Sequence, residues 1–166
     1  MKILAALKKI KHIGRKIDKN IKRIEKWGSF IMDNDQDPDP TYNDEDIKKF
    51  QQQVGDWADE IARIRSALHL TNVRTKVEFM GKECSIDELL LFQNIVLPAK
   101  MRVFKAMRRK EKSSGWRSET NKDAWVELQF DPRERDMGVE KLENIADELD
   151  TLLDNINIET DVVGLD

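Results

Sequence analysis

Two six-residue stretches carry side chains suited to holding a polar ligand. Asn72-Val73-Arg74-Thr75-Lys76-Val77 and Asn157-Ile158-Glu159-Thr160-Asp161-Val162 share the order Asn, β-branched, any, Thr, any, Val. An Asn amide donates and accepts, a Thr hydroxyl does the same, and Arg74 with Lys76 would supply charge for a phosphate. Trp125 offers a ring for stacking, and Arg133 and Arg135 are further cations. The candidate ligand-binding set is therefore Asn72, Arg74, Thr75, Lys76, Trp125, Arg133, Arg135, Asn157 and Thr160. A purely structural reading competes with it: Asn ends helices, Thr starts strands, and the two stretches could pair as neighbouring strands.

Catalytic constellations are not found. His12 sits among lysines and His69 stands alone, with no His-x-x-x-His or His-Glu-x-x-His spacing. Cys84, the single cysteine, precedes a capping Ser and reads as a small apolar filler. No phosphate-cradling Gly loop or nucleophile elbow is present. Asp33-Asn34-Asp35-Gln36-Asp37-Pro38 begins like a calcium loop, but Pro38 stands where Gly is required and Asp44 where Glu is. The expectation is a protein that is not an enzyme, with no metal and no cofactor.

Hydrophobic residues are 39% and charged residues 37% of the 166, so the core must be lean and the surface densely ionic. One cysteine excludes an intrachain disulfide framework. No apolar run reaches the roughly 18 residues of a membrane span, and the opening MKILAALKKIKHIG is too briefly apolar for a signal peptide. A cytoplasmic protein is expected. The net charge of −3 hides segregation: residues 1–30 hold ten Lys/Arg against two acids, and residues 31–60 hold ten acids against two bases. Residues 100–117 are basic again, eight to one, and residues 131–166 acidic, twelve to three. Such blocks can pair when a chain folds back on itself, or the basic ones can meet a nucleic acid.

Heptad spacing organises the first seventy residues. Ile3, Ile10, Ile17, Ile24 and Ile31 recur every seven, with Leu7, Gly14, Ile21 and Gly28 interleaved as the other seam positions. Glycines there suggest close approach by a bulky partner. The polar Asp33–Pro40 turn follows, and Asn43 caps a second helix bearing Ile47, Phe50, Val54, Trp57, Ile61, Ile64 and Leu68 at 3-4 spacing. The prediction is one domain over residues 1–166 and a mainly α fold: a long antiparallel helical hairpin (1–70), two further helices and a small β element. Residues 71–84 read as a short strand (Val73–Phe79) and a Gly81-Lys82 turn. The Ser85-Ile86-Asp87-Glu88 capping box opens a helix over 85–112 that Pro98 must kink or split. Residues 113–124 read as a loop, 125–130 as a strand, 131–157 as the last helix and 158–166 as an extended tail.

Several of these motifs together resemble a known family. The Asp37-Pro38-Asp39-Pro40 turn, Thr71-Asn72-Val73-Arg74-Thr75, Gly81, Asp87-Glu88-Leu89-Leu90 and the terminal Asn157-Ile158-Glu159-Thr160-Asp161 look like the septicolysin-annotated family of small bacterial and phage proteins of unknown function. That resemblance implies long helical hairpins with a small strand element and a tendency to oligomerise. The chain departs from it at Asn157-Ile158, where Asn-Trp is typical, and at Pro98. The functional expectation is a non-enzymatic homo-oligomeric binding protein, holding a small polar or anionic, nucleotide-like ligand at the stretches after the second and fourth helices. The alternatives are a protein–protein interaction module (inhibitor, adaptor or virion component) and, less favoured, nucleic-acid binding through residues 2–26 and 100–117.

Overall fold

The computed structural model describes residues 1–29, 43–108 and 127–165. The order is α1 (Ile3–Trp27), α2 (Asp44–Arg74), β1 (Lys76–Phe79), β2 (Lys82–Ser85), α3 (Ile86–Leu91), a π-helical turn (Phe92–Val96), α4 (Leu97–Ala106) and α5 (Pro132–Glu159). The fold is mainly α with a two-stranded antiparallel sheet, as the spacing predicts. The chain divides into two compact units, Met1–Thr75 with Asn155–Asp166, and Lys76–Asp154. The Asp33–Pro40 turn, the 113–124 loop and Trp125 lie outside the described residues.

In the first unit α1 and α2 form the antiparallel hairpin. Contacts descend along α2 as they climb α1: Lys9 Nζ lies 2.7 Å from Glu60 Oε1, Lys16 over the Trp57 ring, Asn20 Nδ2 2.8 Å from Gln53 Oε1, and Arg23 over the Phe50 ring. The seam of α2 is the expected one, with Ile64 and Leu68 buried and Ile47, Phe50, Val54, Trp57 and Ile61 half-buried. The seam of α1 differs. Ile3, Ala6, Ile13 and Asn20 are buried and Ile10, Ile17, Ile24 and Trp27 half-buried, whereas Leu7 is 45% and Ile21 40% exposed. The second seam position therefore follows each Ile by three residues, not four. A Cβ built at Gly14 meets nothing within 4 Å, so no bulky side chain presses there. Glycine offers no side chain to bury, and a seam through Gly14 and Gly28 would leave two holes where Ile13 and Trp27 now pack. Gly28 ends the helix, its N–H bonding Ile24 O, and a Cβ there would stand 2.5 Å from that same carbonyl oxygen.

Both helix starts read from sequence carry their capping boxes. Asn43 Oδ1 accepts from Asp46 N–H while the Asp46 carboxylate accepts from Asn43 N–H, and Ser85 with Glu88 does the same. Helix α2 continues to Arg74, so the strand begins at Lys76 and not at Val73. The added turn brings Thr71, the next 3-4 position after Leu68, fully into the core.

In the second unit β1 and β2 pair from Lys76↔Ser85 to Phe79↔Lys82, with Met80 and Gly81 as the two turn residues, both at positive φ (52° and 72°). That is the twist a two-residue hairpin requires. Pro98 is accommodated upstream. It cannot donate to the preceding turn, and the helix widens there, with Leu97 N–H reaching back five residues to Phe92 O. Asn94 Nδ2 donates to Leu90 O on the same stretch. The helix expected over 85–112 stops at Ala106 because Met107 leaves helical geometry (ψ 78°). Residues 127–130 are not a strand, contrary to expectation. Asp131 caps α5 instead, its Oδ1 accepting from Arg133 N–H at 2.7 Å. Along α5, Leu142 and Leu149 are buried, and Gly138 lies where a Cβ would strike the Phe104 ring of α4.

Met80 holds a left-handed conformation that costs an L-residue with a Cβ about 1–2 kcal/mol. Met80→Asn should raise the melting temperature, by about 1 kcal/mol of stability, because Asn tolerates that region. Calorimetry of the two proteins checks it; an unchanged or lower melting temperature would refute the turn strain.

Candidate functional site

The residues nominated from sequence fall in both units, several of them at helix ends. Asn72 is half-buried within α2, Arg74 is its exposed last residue, and Thr75 ends it by donating its N–H to Thr71 O at 2.9 Å. The first three residues of each stretch are helical, because α2 runs to Arg74 and α5 likewise runs through Asn157 to Glu159. Lys76 is exposed in the second unit, its Nζ 3.7 Å from the Glu88 carboxylate. Arg133 is exposed in the first turn of α5. Arg135 is held within that unit by Asp136 at 2.7 Å, by Met107 O and by the Phe130 ring. Thr160 sits just past α5 and gives its N–H to Ile156 O.

The polar groups around these positions close the first unit on itself. Ile3 N–H donates to Thr160 O, Val162 N–H to Met1 O, and Met1's ammonium to Leu165 O. Lys2 pairs with Asp161 in an isolated antiparallel bridge, and its Nζ reaches both Asp161 Oδ2 (2.6 Å) and Glu159 O (2.7 Å). Thr71, overlooked as a candidate, is the buried centre: its hydroxyl donates to Ala67 O and accepts from Val163 N–H at 2.9 Å. The expected extended tail is thus a bridge followed by a turn at Gly164, with Val162 buried. The two Asn/Thr stretches do not pair as strands; Thr71 takes a backbone N–H from the tail. Burial of Thr71 was foreshadowed in the sequence by its 3-4 position after Leu68.

A different surface on α1 has ligand-binding chemistry. In heptad terms with Ile3 at a, the g row is Lys2, Lys9, Lys16 and Arg23, and each faces a carboxylate or an aromatic ring of the first unit. The outer rows carry Lys8, His12, Arg15, Lys19, Lys22 and Lys26, all exposed. No acidic group among the described residues pairs with Lys8, Arg15, Lys19 or Lys22. At 1.5 Å per residue, Lys8 to Lys26 spans about 27 Å. A shallow groove of about 540 Å³ at the C-terminal half of α1 is lined by Arg15, Asp18, Lys19, Lys22, Arg23, Lys26 and Trp27. Lys26 Nζ lies 4.6 Å from the Trp27 ring centre. Among the described residues no group of three or more His, Cys, Asp or Glu comes together to hold a metal ion, and no helix is long and apolar enough to cross a membrane.

Comparison of the chain with protein-family models, curated proteins and solved structures finds no match. The resemblance to the septicolysin-annotated family rests on its short motifs alone.

Two outcomes follow for the closing knot. Thr71→Val should cost about 1–3 kcal/mol, because it strands the Val163 N–H in a part-buried place; urea unfolding checks this, and an unchanged midpoint would exclude the role given to the hydroxyl. Lys2's hydrogen bond, its charge and the chain's own ammonium hold the Asp161 carboxyl below the ordinary carboxylate range. A depressed folded pKa means stability present above the unfolded value and lost as pH falls through the folded one. The melting temperature of the native chain should therefore fall more steeply in acid than that of Asp161→Asn, with the two curves converging below the carboxylate range.

Proposed function

We propose that the protein is a non-catalytic binding protein whose outer α1 face holds a phosphate-bearing chain, with single-stranded nucleic acid as the ligand class. The observation that carries this reading is the row of exposed cations without acidic partners along α1, ending in a groove beside Trp27. Hairpin formation uses Lys9, Lys16 and Arg23 of the g row and leaves the outer rows to solvent, so the second set of charges is not needed for the hairpin. A chain of phosphates matches a line of cations, and an indole ring at its end offers a base a stacking partner. An anionic bilayer fits less well, because the apolar stripe of α1 that would enter it is turned into the hairpin. The Asn/Thr stretches support an anionic ligand less, because the Thr71 hydroxyl and the backbone N–H groups of Thr75 and Thr160 already bond within the fold.

Fluorescence anisotropy with a labelled single-stranded oligonucleotide tests the reading. Four engaged cations predict a log–log salt slope of about −3, from about −0.7 per phosphate. The double variant Lys19→Glu/Lys22→Glu should lose at least about tenfold in affinity, whereas Asn72→Ala and Arg74→Ala should bind as the native chain does. Binding that ignores both salt and the Lys19/Lys22 reversal would remove the proposal.

A further inference from the structure

We propose that the outer face of residues 91–103, in the second unit, docks an acidic amphipathic helix of another protein. The inner side of this helical stretch is taken up within its own unit. Gln93 Nε2 donates to the Asp150 carboxylate of α5, and the Phe104 ring lies where a Cβ at Gly138 would stand. Leu97 is buried, and Met101 and Phe104 are half-buried. The opposite side carries Leu91, Ile95, Ala99 and Val103, all exposed, the three large ones at 51%, 61% and 56%. Scattered apolar side chains are ordinary on a surface; a contiguous row of them marks a place where something binds.

The π turn is what makes the row straight. In a regular α-helix each step of four residues advances about 40° around the axis, so Leu91 and Val103 would stand about 120° apart. Between them the turn Phe92–Val96 takes one extra residue into its circuit, with Leu97 N–H reaching Phe92 O, and winds that drift back. Lys100 shows the result: its Nζ comes to 5.8 Å from the centre of the Phe92 ring, eight residues earlier. Leu91, Ile95, Ala99 and Val103 thus form one ridge about 18 Å long, the every-fourth-residue ridge that packs into the groove of a facing helix.

Charge decides the partner. Residues 89–108 contain no Asp or Glu and four bases, Lys100, Arg102, Lys105 and Arg108. None of the four has an ion partner among the described residues. Lys100 borders the ridge on the side of Phe92, and Arg102 with Lys105 borders it on the other. A helix with an apolar stripe and carboxylates on both flanks answers each of these features at once. An anionic bilayer answers them less well. It takes up bulky and aromatic side chains, whereas Phe92 and Phe104 are half-buried and the small Ala99 sits within the ridge. A small residue there lets a facing helix come close.

Fluorescence anisotropy of the full chain with a labelled synthetic peptide tests this. The probe has about three heptads, with Leu at a and d and Glu at e and g, so that repulsion between its own glutamates keeps it from self-pairing. The native protein should bind it saturably, with a gain in helical circular dichroism, and should ignore a peptide of the same composition in scrambled order. Ile95→Glu and the double variant Arg102→Glu/Lys105→Glu should each lose at least about tenfold in affinity. Their melting temperatures should stay native, since all three side chains are exposed; this separates lost docking from lost folding. A probe with Lys in place of Glu should bind the double variant better than it binds the native chain. Failure of the native protein to bind the acidic probe, or equal binding of the ordered and scrambled peptides, overturns the proposal. Retention on vesicles of phosphatidylserine and phosphatidylcholine that Ile95→Glu abolishes, or a dimer that Ile95→Glu dissociates, gives the face to a bilayer or to a second copy and overturns it too.

Discussion

Which residues of α1 enter the seam with α2 decides what the first unit shows to solvent. Burying Ala6, Ile13 and Trp27 in line with the isoleucines gives continuous side-chain contact, each fully buried isoleucine contributing about 1.5–3 kcal/mol by removal from water. One polar residue sits in that line. Asn20 is 2% exposed, donates to Gln53 across the seam and accepts from Arg23 Nη1. A satisfied polar pair in an apolar seam holds the two helices in one register, since a slip would bury the amide without its partner. The same choice of seam sends Lys2, Lys9, Lys16 and Arg23 to the flank where acids and aromatic rings wait, and leaves Leu7, Gly14 and Ile21 on the opposite flank.

Burial along the hairpin deepens toward the end where α1 begins and α2 finishes, with Ile3, Ala6, Ile64, Leu68 and Thr71 buried there. The tail after α5 is tied to that end by backbone hydrogen bonds from Ile3 and Val162 and by the Thr71 hydroxyl. Paired backbone groups let Val162 be buried without leaving donors unsatisfied. The charges around the knot are exposed, and the Lys2–Asp161 pair at 48% and 66% side-chain exposure acts more to orient the bridge than to stabilise it. The bases of α1 are therefore divided: Lys9, Lys16 and Arg23 face a carboxylate or a ring of α2, and Lys8, Arg15, Lys19 and Lys22 are exposed without an acidic partner among the described residues.

Local signals were legible where chemistry acts over three or four residues. Asn43 and Ser85 cap their helices because a short side chain followed three residues later by an acid satisfies two backbone donors at once. Pro98 disturbs its helix because it has no N–H to give, and the disturbance takes the form of a π turn. The candidate site was less legible. A run of Asn, a β-branched residue and Thr is compatible with a loop, a strand or the last turn of a helix, and only the depth of packing at Thr71 and Ile156 kept Asn72 and Asn157 helical. The strand expected over 125–130 is absent from its described part, 127–130, for a related reason: alternation is a statement about two faces, and it has force only where one face is covered.

Sequence alone determined that residues 1–70 fold back as paired helices with a basic and an acidic limb, since the seven-residue apolar period and the charge blocks are properties of spacing. It also determined the capped starts of α2 and α3 and the disturbance that Pro98 causes. Tertiary structure decided whether the residue three or four places after each isoleucine joined the seam, because both choices have the same period and differ only in how well the facing helix fills the space. It decided the fate of Thr71, whose hydroxyl closes the unit only because the end of the chain comes back to it.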